Sequence, residues 1–233
     1  MCSAYTMHHS RDEVLLLARQ MQLPIPDLDR FEPRWRTGIK QRGLILRPDP
    51  GGELTWSWAR WSLVPPGAKE TPPYPLNNAR TDKLSSWPWK AVQSKRCLVP
   101  CSGFWEPEKK AREKGTAPWS FYALNSEEPF FMAGLWSDAL DPKSGEHIDS
   151  YTVLIGEAND AMRVHDRMPV MLQGRAARTW IEPGPLPFEV LQPYPAEAMT
   201  AWRVIDEAKN SHVKPTPEMS APVKEGEAGP LLS

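Results

Sequence analysis

A chain of 233 residues, 40% hydrophobic and 24% charged, is long enough to bury a proper core as one large domain or two small ones. A net charge of -1 excludes a globally basic nucleic-acid binder, so any polyanion has to meet a local patch. Three cysteines without framework spacing exclude a disulfide-built fold and fit a reducing, cytoplasmic setting; no signal peptide precedes Cys2, and no apolar run nears the ~20 residues that span a membrane.

The chain opens Met1-Cys2. Loss of Met1, usual when the next residue is small, makes Cys2 a 1,2-aminothiol. Its amine can condense with an aldehyde to an imine, and its thiol can then close on the same carbon to give a thiazolidine. The closure is intramolecular, with effective molarities that reach about 10⁵ M or more. Reference pKa values of about 7.7–8.0 for an α-amine and about 8.5 for cysteine put both groups within reach of modest tuning. Residues 3–9 read as an extended segment carrying the terminus into the body, and the adjacent His8-His9 pair reads as loop rather than metal site. Ser10-Arg11-Asp12-Glu13 is a capping box, followed by Val14, Leu17, Ala18 and Met21 at helical spacing and ended by Pro24 and Pro26.

Residues 30–47 form a basic stretch that includes Arg34, Arg36 and Trp35, opposed by Glu32 alone. Read as a loop, it offers what single-stranded nucleic acid needs: cations for phosphate and a ring for a base. Solvated surface charge is the other reading. Leu54, Trp56 and Trp58 alternate as a half-buried strand, with a phase slip at Arg60-Trp61 that suggests a bulge. The loop after Pro65-Pro66-Gly67 runs to Asn77-Asn78-Ala79-Arg80; asparagine pairs commonly form turns, and Arg80 is a phosphate ligand if it lines a cleft. Cys97 to Pro100 reads as a buried strand, with Cys97 and Cys101 as small core residues. It delivers Phe104-Trp105-Glu106, whose carboxylate in apolar surroundings would trade protons near neutrality.

Residues 108–117 read as a charged hairpin loop, Trp119–Leu124, Pro129–Trp136 and Tyr151–Ile155 as strands, and Glu157–His165 as a short helix running into His165-Asp166-Arg167-Met168-Pro169. A short strand at 169–172, a helix at 175–181 and a strand at 202–205 follow. Residues 1–213 are expected to form one domain, and from Lys214 the Pro/Glu/Gly/Ala-rich tail, 214–233, is expected to be disordered. The 26 prolines argue against long helices throughout.

These segments, in this order, resemble the SRAP family, the SOS-response-associated peptidase or abasic-site-processing proteins. The resemblance rests on Met1-Cys2, Trp61-Ser62-Leu63-Val64-Pro65, Asn78-Ala79-Arg80 and Arg96-Cys97-Leu98-Val99-Pro100 with Gly103-Phe104-Trp105-Glu106. It extends to Ala133-Gly134-Leu135-Trp136 and, most specifically, to Ala158-Asn159-Asp160-Ala161-Met162 with His165-Asp166-Arg167-Met168-Pro169-Val170. It implies an α+β fold, a single compact domain of antiparallel, barrel-like curved sheets with a few short peripheral helices. It implies a monomer that captures abasic sites in single-stranded DNA as a thiazolidine crosslink through Cys2, with lyase-type and self-processing peptidase character and no metal or other cofactor. In that reading Asn78 orients the Cys2 amine or the opened sugar, Glu106 shuttles protons at the amine, His165 works as acid/base on the sugar oxygen, and Arg80 and Arg167 clamp phosphates. Ser3 and Ala4 stand where the family usually has glycine and arginine, and basic residues replace its Asn-Val-Ala-Pro loop in 33–46. Two other functions compete: an amide hydrolase with an N-terminal cysteine, and a non-catalytic binder of single-stranded DNA.

Overall fold

The extended segment at the start is strand β1 (Ala4–Met7), buried along its whole length. The computed structural model describes residues 2–107, 119–162, 165–209 and 213–223. The capping box forms as its spacing requires: the Ser10 N–H donates to Glu13 Oε2 at 2.7 Å and the Glu13 N–H donates to Ser10 Oγ at 3.3 Å. Helix α1 (Arg11–Arg19) follows and buries Val14, Leu15, Leu17 and Ala18. It stops short of Pro24, and the chain turns through a left-handed Gln22 at φ 57°.

The basic stretch is not a loop. It forms β2 (Arg34–Gly38) and β3 (Arg42–Pro48), joined through Lys40 at φ 67°. Then come β4 (Leu54–Trp61), β5 (Asn78–Arg80), β6 (Arg96–Cys101), β7 (Gly103–Pro107), β8 (Trp119–Leu124), β9 (Phe130–Leu140), β10 (His147–Glu157), β11 (Arg167–Pro169), β12 (Met171–Leu172), helix α2 (Gly174–Ile181) and β13 (Met199–Arg203). No bulge marks Arg60-Trp61: the β3–β4 register runs unbroken from Arg42↔Arg60 to Pro48↔Leu54. The slip reflects burial on both faces, with Ala59 and Trp61 turned into the cluster that holds Cys2 while Trp56 and Trp58 pack on the other side.

One sheet has the order β13-β8-β7-β1-β2 and the other β11-β10-β4-β3-β6-β9-β12, with β5 on β10. A further β9–β10 ladder closes β10-β4-β3-β6-β9 into a ring, giving the expected α+β, barrel-like architecture. Most ladders are antiparallel, but β4 and β5 run parallel to β10. Period-two alternation divides the core. On β3, Ile45 enters a cluster shared by both sheets with Cys2, Tyr5, Trp61, Phe104 and Tyr151, while Leu46 enters another with Leu17 and Trp180 of the two helices.

In the shared cluster the Tyr5 and Tyr151 hydroxyls meet at 2.6 Å, tying β1 to β10. Position 43 has to be glycine to admit them, because a Cβ there would lie 2.2 Å from both oxygens. Gly43→Ala is therefore expected to destabilise the fold by about 1–3 kcal/mol, read as a lower urea midpoint at unchanged slope.

Two expectations need correction or limits. Residues 158–162 form a turn, not a helix: Asn159 Oδ1 accepts the Ala161 N–H at 3.1 Å, a local bond that competes with helical pairing. Part of the stretch expected to be disordered, 214–223, carries a 3-10 turn at Pro217–Ser220 that buries Met219. There Trp105 Nε1–H donates to the Met219 carbonyl at 3.0 Å and Trp202 Nε1–H to that of Ser220 at 2.7 Å. The charged loop at 108–117 and residues 224–233 lie outside the described residues. No described helix is long and apolar enough to cross a membrane.

Candidate active site

Cys2 has no accessible surface. Its position is fixed by its carbonyl, which accepts from two side-chain amides: Asn78 Nδ2 at 2.8 Å and Asn77 Nδ2 at 3.1 Å. The backbone of those asparagines is fixed in turn. The Asn77 carbonyl accepts the Val153 N–H at 3.0 Å and Trp61 Nε1–H at 2.8 Å, and β5 continues in parallel register with β10, Asn78 beside Val153. A ladder between segments 75 residues apart in sequence thus holds the second residue of the chain.

Glu106 arrives from the other side. On β7, Phe104 and Glu106 share the face turned toward the Cys2 cluster, while Trp105 points to the opposite cluster. The β1–β7 register pairs Ala4 with Trp105. One further step sets Ser3 across from Glu106, next to Cys2. Glu106 is fully buried, and its charge acts on the thiol. Burial above all, then Glu106 and Cys101, push the Cys2 thiol well above its ordinary range, so the sulfur is held as S–H. Asn78 Oδ1 is buried with no hydrogen-bond partner among the described residues, an acceptor left open beside the nucleophile.

His165 lies two residues before β11, just past the β10–β11 ladder, whose last pair is Glu157 with Arg167. Its Nδ1 lies 3.0 Å from the Arg167 backbone nitrogen and 2.9 Å from Asp166 Oδ1. A neutral ring with its proton on Nδ1 directs that N–H at the Asp166 carboxylate and leaves Nε2 to take up and return a proton. Met162 and Met168, which flank His165 in the chain, pack in the Cys2 cluster.

The arginines separate. Arg80 ends β5, two residues past Asn78, and its exposed fork is bidentate to Asp82 at 2.9 and 2.7 Å. The charge of Asp166 reaches Arg80, and that of Arg167 reaches Asp82, so these four groups form one rim. Arg34 is elsewhere. It lies opposite Met7 at the far end of β1, roughly 16 Å of strand from Cys2. There it covers Trp58 at 4.6 Å and lines a groove of about 540 Å³ with Arg30, Phe31 and Arg42. Arg36, between the two ends, is half-buried, with Nε and Nη1 unpartnered among the described residues. Sequence reasoning brought Cys2, Asn78 and Glu106 together and took Asn77 for a turn former; the doubled amide was the one local signal of its role.

The histidine pair serves the fold. His8 stacks on His9 and on Trp35, with centroids 4.9 and 4.8 Å apart, and both His9 nitrogens are engaged, by Ser102 Oγ at 2.6 Å and the Glu127 carbonyl at 2.8 Å. A cavity of about 780 Å³ beside them is lined by Glu13, Glu127 and Trp202; Cys2, Asn77, Asn78, Glu106 and His165 are not in its lining.

The family model for SOS response associated peptidase (SRAP) matches residues 1–211. The chain is 30% identical over 227 residues to the abasic site processing protein YoqW of Bacillus subtilis, covering 94% of this chain and 98% of that one. It is 29% identical to the abasic site processing protein HMCES of Xenopus tropicalis, over 89% of this chain and 71% of that one. A solved protein of Bacteroides thetaiotaomicron has the same fold at TM-score 0.73 and 20% identity, covering 96% of this chain and 100% of that one.

Proposed function

Because the chain belongs to the SOS response associated peptidase (SRAP) family, we propose that it processes abasic sites in single-stranded DNA by capturing their aldehyde on Cys2. The observation that carries this reading is the clamp on the second residue: a buried thiol, its carbonyl held by Asn77 and Asn78, beside the buried carboxylate of Glu106. A frayed chain end has no use for two side-chain amides on its carbonyl.

Removal of Met1 frees the Cys2 amine. The amine adds to the open-chain aldehyde of the sugar, and the resulting carbinolamine loses water to give the imine. Sγ then bonds the imine carbon, and the thiol proton ends on the ring nitrogen. One water leaves overall. The thiol is held as S–H by burial, so a base must move its proton; in this reading Glu106, whose charge acts on the thiol, does so and serves the amine in the first step. The open Asn78 Oδ1 can accept from the freed amine while Nδ2 keeps the carbonyl. His165 exchanges a proton through Nε2 with the sugar oxygen during ring opening, and Arg167 and Arg80 supply positive charge at the rim, Arg80 by exchanging Asp82 for a phosphate.

Asn78→Ala removes one carbonyl clamp and the open acceptor together. At about 1 kcal/mol for each hydrogen bond, adduct formation is expected to slow roughly 5- to 30-fold, with Asn77→Ala milder because it removes one bond. The test is single-turnover adduct formation on an abasic oligonucleotide. Equal rates for wild type and Asn78→Ala would contradict the clamp.

A further inference from the structure

We propose that the Cys2 site also takes free aldose 5-phosphates, closing a thiazolidine on their open-chain aldehyde with no nucleic acid present. The inference rests on the reading of Cys2 as an aldehyde-capturing aminothiol. It extends the substrate class from a lesion in a strand to a small sugar phosphate.

The rings packed around Cys2 serve the core. Tyr5 is 1% exposed, Tyr122 2%, and Trp61, Phe104 and Tyr151 not at all. Trp61 donates its indole N–H to the Asn77 carbonyl, the hydroxyls of Tyr5 and Tyr151 hold each other, and Phe104 stacks on Tyr122 with centroids 5.3 Å apart. None of these rings offers a face to a base. The polar groups at the site address something smaller. Asn78 Oδ1 is an open acceptor for the Cys2 amine, Glu106 acts at the thiol, and His165 exchanges a proton with a sugar oxygen. What they recognise lies within one sugar.

Arg80 adds the phosphate. Alternation along β5 sets Asn78 and Arg80 on the same side of the strand, about 7 Å apart. Asn78 Nδ2 is itself 2.8 Å from the Cys2 carbonyl, so clamp and cation are separated on the scale of a five-carbon chain that carries an aldehyde at one end and a phosphate at the other. The present occupant of the Arg80 fork shows what it binds. Asp82 sets one carboxylate oxygen on Nε at 2.9 Å and the other on Nη2 at 2.7 Å, and these stand where two oxygens of a phosphate would sit. Both side chains of that pair are nearly half exposed, so water screens it and exchange for a dianion is easy. The reaction is complete without a strand: the amine nitrogen and Sγ both bond the aldehyde carbon, the carbonyl oxygen leaves as water with the two amine protons, the thiol proton ends on the ring nitrogen, and the phosphate is untouched.

The test uses full-length protein shown by mass to lack Met1. It is incubated separately with 2-deoxyribose 5-phosphate, with 2-deoxyribose and with an abasic oligonucleotide, and adducts are followed by intact mass. Free cysteine with the same two sugars gives the intrinsic effect of the phosphate. The protein is expected to form a species at its own mass plus the sugar phosphate minus one water, roughly 10- to 100-fold faster than with 2-deoxyribose after correction for the ratio shown by free cysteine, the range of a charge-assisted phosphate contact. Arg80→Gln is expected to bring that ratio down toward the one for free cysteine, and Cys2→Ala to form no such species. Protein that captures the abasic oligonucleotide but not the sugar phosphate, or whose preference for the phosphate equals that of free cysteine, would overturn the proposal and leave the DNA reading in place. No adduct with either substrate would overturn both.

Discussion

Cys2→Ala is expected to abolish the denaturation-resistant adduct with abasic single-stranded DNA, a loss of more than about 100-fold, while leaving a product that borohydride can trap. Both halves follow from the division of labour in the aminothiol. Alanine is also small, so Met1 is still removed and the α-amine still forms an imine. Without Sγ the imine cannot close and hydrolyses back; reduction by borohydride fixes it as an amine. The variant keeps its fold, because Cys2 lies at the chain end and its carbonyl, not its sulfur, makes the bonds to Asn77 and Asn78. The far-ultraviolet spectrum and melting temperature check that point. Adduct formation by Cys2→Ala at the wild-type rate would remove the thiol from the mechanism.

Glu106→Gln is expected to slow adduct formation by about 10²–10⁴, the range of a positioned general acid or base. The substitution preserves shape, so the loss measures proton transfer and charge. It carries a second signature of opposite sign. The Glu106 charge helps push the Cys2 thiol up, so its removal lets that pKa fall, although burial still holds it above the ordinary range. The residual rate of Glu106→Gln should therefore reach its alkaline plateau at lower pH than wild type. A slower reaction with an unshifted pH profile would place Glu106 outside contact with the thiol.

The parts of this account that rest on local chemistry were legible in the sequence. The capping box needed four residues, and the strands around Val99, Phe131 and Val153 needed only their apolar runs. Cys2 announced itself by its place in the chain. The parts that depend on ladders between distant segments were not. That Asn77 and Asn78 both turn onto Cys2 follows from the parallel pairing of β5 with β10, which no local pattern encodes. The Tyr5–Tyr151 contact joins residues 146 apart and shows in the sequence only as an unexplained Gly43. Arg34 and Arg36 read as DNA-binding residues because they lie in a basic stretch around Trp35, yet the β1–β2 register carries Arg34 to the end of β1 remote from Cys2. The helix expected over 157–165 had apolar residues at the right spacing, but Asn159 captured the Ala161 N–H and closed a turn instead. In each case a tertiary ladder or a side-chain-to-backbone bond overrode the local pattern.

The central claim is that Cys2 is an N-terminal aminothiol that bonds covalently to an abasic sugar. Intact mass spectrometry of the denatured mixture of protein and a single-stranded oligonucleotide with one abasic site tests it most directly, with the undamaged oligonucleotide as control. The account predicts one species at the mass of the protein without Met1 plus the oligonucleotide minus one water, absent from the control. A protein that has lost Met1 and still forms no such species would contradict it.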